Sequence, residues 1–240
     1  MSIAEKFETV ADRVYEKGQQ NATDDFIKRF TNNGARTNYT YGFCSMDFSG
    51  FTIEATPKNI GYLFSYYEGK TIPDGIDCSN ASTTGTSTNN SPAYLCAYSK
   101  LKYLPDINIP PAHYWYASFR DCTELETIEV IRMREGSGAS TNVLFLNCNS
   151  LKNITFEGVI PITIGFADCP LTVTSIKSII EHLQDYSGTS NANSYTVTFK
   201  APSSSYKALS ELEAEGATAE YNGQPCTWLE LIAYKKWKLG

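Results

Sequence analysis

A chain of 240 residues and 26.6 kDa is long enough to bury a sizeable core, and its 42% apolar share sits at the globular norm. Charged residues make up only 19%, and Ser, Thr and Asn take their place beside 16 Tyr and 12 Phe, a balance that suits a β-rich protein. The net charge of −6 and the pI near 5.0 exclude the basic footprint of a nucleic-acid binder and disfavour adsorption to anionic membrane.

No run of 18 apolar residues occurs, so no membrane insertion is expected. The first residues alternate charge with apolar side chains and lack the basic and apolar regions of a signal peptide, which predicts synthesis in a cytosol and either retention there or exit by a route that does not read the N-terminus. Seven cysteines cannot all pair. They form no CxxC, and only two histidines accompany them, so neither a zinc site nor any other cofactor is expected.

Residues 2–30 read as a helix. Ser2 with Glu5 forms a capping-box signature, and Ile3, Phe7, Val10 and Val14 fall in heptad register. Two readings stand side by side: a helix covering the first repeat, or a stem that attaches or oligomerises the chain, most plausibly as a trimer.

Next comes a repeat. Phe119, Cys122, Leu125 and Ile128 recur as Phe145, Cys148, Leu151 and Ile154, and again, cut short, as Phe166, Cys169 and Leu171. The template is F-x-x-C-x-x-L-x-x-I. A weaker copy fits upstream if Leu95 takes the Phe place and Tyr98 the Cys place; Tyr62–Tyr66 echo its start, with Ile72 where Leu104 sits. The anchors are then Tyr66, Tyr98, Cys122, Cys148 and Cys169. Each copy runs into a short strand, at 102–107, 126–131 and 152–157, with Leu104, Ile128 and Ile154 facing inward. Stacked copies make a parallel ladder whose cysteines pack inside, reduced and inert. Polar stretches at 78–92 and 135–140 are loops that enlarge single repeats.

The segment from Ile109 to Tyr116 places Tyr114, Trp115 and Tyr116 in a row after Pro110 and Pro111. Three consecutive aromatics in extended chain cannot all face inward. Either two are core and one lies at the rim, or the cluster is a stacking patch for a sugar or peptide.

The remainder reads as an α/β cap. A helix from Thr174 or Ser175 buries Ile176, Ile179, Ile180 and Leu183, a strand spans 195–199, and a second helix near Pro202 turns Tyr206, Leu209 and Leu212 inward. A last helix, capped by Thr227, carries Trp228, Leu231 and Ile232.

The F-x-x-C-x-x-L-x-x-I units resemble the BspA-type leucine-rich repeat. The segment 32–41 and the closing stretches 171–180, 195–199 and 226–237 are similar to those of its phage- and prophage-associated subgroup. The fold expected is therefore α+β: an N-terminal helix at 1–30, a short leucine-rich-repeat solenoid at 31–171 and an α/β cap at 172–240. The resemblance implies a virion or accessory protein, assembled in a bacterial host's cytoplasm and displayed on a particle to contact a bacterial surface glycan or a protein partner. A purely structural assembly component is the alternative.

No nucleophile-and-base arrangement or phosphate-binding motif occurs, so no catalysis is expected. Cys122 is read as a packing residue despite His113 nearby in sequence. A glycan-degrading enzyme ranks last, because the outward strand positions offer only Glu129 as a carboxylate. The candidate contact surface is the outward row Tyr103, Thr127 and Asn153, the next row Pro105, Glu129 and Thr155, and the aromatics Tyr114, Trp115 and Tyr116.

Overall fold

The structure, a computed structural model, describes residues 47–240 except 51, 86–90, 137–138 and 142. The expected N-terminal helix with its Ile3, Phe7, Val10 and Val14 seam, and the segment 32–41, lie outside the described residues.

The fold is mixed α/β, with three helices among the described residues and short, mostly parallel sheets that do not close into a barrel. In chain order the elements are β1 (Thr52–Ala55), β2 (Asp74–Ile76), β3 (Tyr103–Leu104), β4 (Thr127–Met133), β5 (Asn153–Gly158), β6 (Ile164–Phe166), α1 (Val173–His182), β7 (Thr196–Phe199), α2 (Ala208–Ala214), β8 (Ala219–Tyr221), β9 (Gln224–Cys226), α3 (Trp228–Tyr234) and β10 (Lys238–Leu239). β1 pairs with β2, β4 lies between β3 and β5, and β7 lies between β6 and β10, all parallel; β8 and β9 form an antiparallel hairpin.

The repeat period sets the register. Tyr103 pairs with Thr127 and Thr127 with Asn153, while Leu104, Ile128 and Ile154 align on the buried side. β3 is shorter than expected because Pro105 has no N–H to extend the ladder. β4 takes up one extra residue: Ile128 faces Ile154, but Ile131 faces Phe156. Gly158 closes β5 at φ +79°, and a Cβ there would meet the Met133 carbonyl oxygen at 1.9 Å, so only glycine fits.

Between the strands the chain turns back through five-residue bends: Tyr62–Tyr66, Tyr94–Tyr98, Ala117–Asp121 and Val143–Asn147. In each, the first and last residues have φ between 51° and 62°. Each bend is hydrogen-bonded to the next: Phe64 N–H to Leu95 O (2.7 Å), Cys96 N–H to Ser118 O (2.8 Å), Phe119 N–H to Leu144 O (3.1 Å). These bonds correct the upstream alignment by one residue. Tyr66 and Tyr98 are equivalent to Asp121 and Asn147, not to Cys122 and Cys148. Cys96 takes the Phe place and Ser99 the Cys place; the Cys122 thiol accordingly donates to Cys96 O (2.9 Å), as the Cys148 thiol does to Phe119 O (2.9 Å).

Inside, Phe119, Phe145, Phe166 and Phe199 form a column with centroid spacings of 5.7, 4.8 and 6.0 Å. The last ring belongs to β7, so packing is continuous across the expected boundary at 171/172. α1 seals the edge of β5 in place of a strand. Ser175 Oγ accepts from Ile154 N–H (2.9 Å) and Ser178 Oγ from Phe156 N–H (3.0 Å), so two serines three apart satisfy an edge that would otherwise invite pairing with another chain. Thr172 caps α1, and Thr227 with Glu230 forms a reciprocal capping box on α3. α2 begins at Ala208, later than Pro202 suggested, with Tyr206 buried just ahead of it. Asn222 and Gly223, both at positive φ, make the tight β8–β9 turn. Lys235 hydrogen-bonds the carbonyls of Ile180, Glu181 and Leu183, capping the C-terminal end of α1. No helix among the described residues is long and apolar enough to cross a membrane.

Candidate binding surfaces

The strand face holds the first candidate row in register. Tyr103 and Asn153 are exposed, Thr127 is half-buried, and Asn153 donates to Thr127 Oγ1 at 3.3 Å. The second row, Pro105, Glu129 and Thr155, is not a continuous ladder, since β3 has ended and β4 bulges just after Ile128. Glu129 turns back on its own sheet, accepting from the Tyr103 hydroxyl and from Asp106 N–H at 2.8 Å.

The organising cation beside it is Arg132, which the sequence reading did not single out. It donates to both oxygens of Asp106 (2.7 and 2.6 Å) and to Glu157 (2.8 Å). Those bonds hold the Asp106 carboxyl below its ordinary range and raise the Arg132 guanidinium above its own. Asp106 is therefore held ionised, the opposite of what a general acid needs.

The second surface lies on the bends. Tyr62 stacks on Tyr94 with centroids 4.7 Å apart and planes 4° from parallel; Tyr66 stacks on Tyr98 at 4.8 Å and 9°. Tyr116 packs edge-on against Tyr94 at 5.4 Å, and Tyr114 stacks on Tyr116 at 6.1 Å. Tyr66 is 47% exposed and the other five are half-buried. Burial pushes the Tyr94 phenol up to about 12, and Tyr116 adds to the shift. Arg120 lies over the Tyr98 ring at 5.8 Å and is paired with Asp121 at 3.0 Å, so this face carries no uncompensated charge from that pair. Asn147 continues the row, donating to Asp121 at 2.6 Å.

Two of the three aromatics expected as a patch are therefore part of a larger one, and the third is not. Trp115 is only 1% exposed, packs on Phe119 and donates to Ala112 O; it is a core residue and cannot anchor a ligand. The signal that would have found the tyrosines was present: Tyr62 and Tyr66 recur as Tyr94 and Tyr98, 32 residues on, at the ends of a five-residue bend.

The six described cysteines are all buried and unpaired with one another. Burial raises the Cys122 thiol to about 11 and those of Cys78 and Cys169 to about 12, far from a reactive thiolate. His113 is buried with neither ring nitrogen hydrogen-bonded, so it forms no pair with Cys122. Among the described residues no cluster of His, Cys, Asp and Glu is arranged to hold a metal ion. Compared with models of protein families, with characterised proteins and with solved structures, the chain matches none.

Proposed function

We propose that this chain is a non-enzymatic binding protein, built on a short leucine-rich-repeat solenoid of the BspA type with an α/β cap. It serves as a phage-type virion or accessory component that touches a bacterial surface or a protein partner. The strict recurrence of the bends and the register of the strands support the scaffold. The ordered tyrosine face carries the binding reading: six rings, four in one contacting cluster and Tyr66 with Tyr98 in a separate stack, fixed by a hydrogen-bonded backbone, lose little freedom when a partner covers them. On sequence grounds alone, the Ile3, Phe7, Val10 and Val14 seam is the element proposed to oligomerise the chain.

The enzyme reading fares less well. A glycosidase acid needs a carboxyl held protonated, and Arg132 does the opposite to Asp106.

The test is adsorption of labelled protein to a panel of bacterial cells. Replacing Tyr66 and Tyr98 together by Ala should weaken adsorption at least tenfold, the scale of true aromatic contacts. If adsorption survives that change but is lost in Tyr103→Ala with Asn153→Ala, the contact lies on the strands. If the unmodified protein adsorbs to no cell, the purely structural assembly role is the better reading.

A further inference from the structure

Apart from both surfaces, a cleft of about 480 Å³ opens where the loop after β4 meets the cap. One wall is Glu135, Gly136 and Ala139; another is Pro161 and Ile162; the third, from the segment between α1 and β7, is Gln184, Tyr186, Asn191 and Tyr195. The volume is that of a small-ligand site.

Its polar groups are held in place. The Tyr186 hydroxyl shares its single hydrogen between Pro161 O and Gln184 Oε1 (3.0 Å), and the Gln184 amide nitrogen donates to Glu135 Oε1. This chain fixes which way the Gln184 amide points. It leaves one amide hydrogen of Gln184 and the second oxygen of Glu135 without a protein partner among the described residues. Tyr195 rests on Tyr186 at 5.0 Å and on Trp237 at 5.8 Å, and Trp237 donates to Gln184 O at 2.7 Å. The aromatic wall therefore stands on the buried core of the cap.

We propose that this cleft binds a neutral saccharide. The lining pairs a rigid tyrosine ring and the apolar Pro161 and Ile162 with an oriented carboxylate and two side-chain amides. That set matches a pyranose, whose C–H face seeks apolar contact and whose hydroxyls need both donors and acceptors. No Lys, Arg or His is among the lining residues, so a phosphate or carboxylate has no counter-charge there. Glu135 is the sole carboxylate in the lining, which is short of the pair that hydrolysis needs, so the cleft holds a sugar without cutting it. The inference does not depend on the tyrosine face being the particle's contact.

Saturation-transfer NMR on the full chain, with chitotriose, maltotriose and mannotriose as probes and putrescine as a cationic control, tests it. At least one trisaccharide should receive saturation. Its affinity should fall at least tenfold in Glu135→Ala and in Asn191→Ala, both exposed positions whose loss leaves the core intact, and vanish in Ala139→Trp, which fills the cleft. Tyr66→Ala should leave it unchanged, whatever that variant does to cell adsorption. The proposal is overturned if no trisaccharide is seen at millimolar concentration, if putrescine binds instead, or if the sugar signal survives Glu135→Ala and Asn191→Ala with their melting transitions unaltered.

Discussion

Phe145 sits in the middle of the ring column, 5.7 Å from Phe119 and 4.8 Å from Phe166, and is 2% exposed. Phe145→Ala removes a buried ring between two others and leaves a cavity that stacked, hydrogen-bonded bends cannot readily close. The expected cost is about 3–5 kcal/mol, of which the two ring pairs account for roughly 0.5–1.5 each. For a chain of this size that lowers the melting temperature by about 6–20 °C, or the urea midpoint by about 1–3 M. Phe145→Leu keeps most of the volume and should cost under about 1.5 kcal/mol. Tryptophan fluorescence reads both the repeats and the cap, because Trp115 packs on Phe119 while Trp228 and Trp237 are buried in the cap. With the column continuing through Phe166 to Phe199, bends and cap should unfold in one transition that moves as a unit. A midpoint shift below about 0.5 M, or a cap signal that stays put while the Trp115 signal moves, would refute a shared core.

Burial, with Arg134 adding to it, pulls the pKa of His113 down. The unfolded chain then takes up a proton near pH 6.5 that the folded chain does not, so stability should fall as pH drops below about 6.5. His113→Met should flatten that slope in urea titrations run at pH 7.5 and 5.5. The thiols act at the other end: Cys78, Cys122 and Cys169 ionise later in the folded chain, so stability should fall as pH rises above about 9, and alkylation should be slow until denaturant is added. Cys148→Ser should cost only about 1 kcal/mol, because the hydroxyl inherits the Phe119 carbonyl that the thiol already meets; a loss above about 3 would place that hydroxyl without a partner.

Much of the fold was legible because a single period governs it. Leu104, Ile128 and Ile154 could be placed in one buried row from spacing alone, and α1 and α3 announced themselves through Ile176, Ile179 and Ile180 and through Thr227 ahead of Trp228, Leu231 and Ile232. The one-residue slip in the upstream copies arose where the template's own letters change. Cys96 stands in the Phe place and Ser99 in the Cys place, so Tyr98 looked like the anchor. Arg132 was invisible because its reach to Asp106 and Glu157 depends on the bulge in β4, which no local pattern marks. Trp115 could not be assigned a side while its neighbours were unassigned. The cleft is made by three segments distant in sequence, each of which reads alone as an ordinary loop.

The tyrosines of the bends bear on function because they are poor choices for folding. Tyr62, Tyr66, Tyr94 and Tyr98 occupy the left-handed region, where a bulky side chain costs on the order of 1–3 kcal/mol and Asn or Asp is far better tolerated. The later bends use Asp121 and Asn147 at the position that Tyr66 and Tyr98 fill. Stacking Tyr66 on Tyr98 returns only about 0.5–1.5 kcal/mol for two strained residues. Replacing both by Asn should therefore not destabilise the chain, since the lost stack, about 0.5–1.5 kcal/mol, is no larger than the strain, on the order of 1–3 kcal/mol at each of two residues, that Asn relieves in part. Each backbone N–H, bonded to Ala97 O and Arg120 O, is kept. The same pair of changes should abolish adsorption to cells. Thermal melts and adsorption measured on one preparation decide the matter. A double Asn variant that loses several kcal/mol would show that the rings are there to hold the bends together, and the tyrosine face would have no separate claim to be a binding surface.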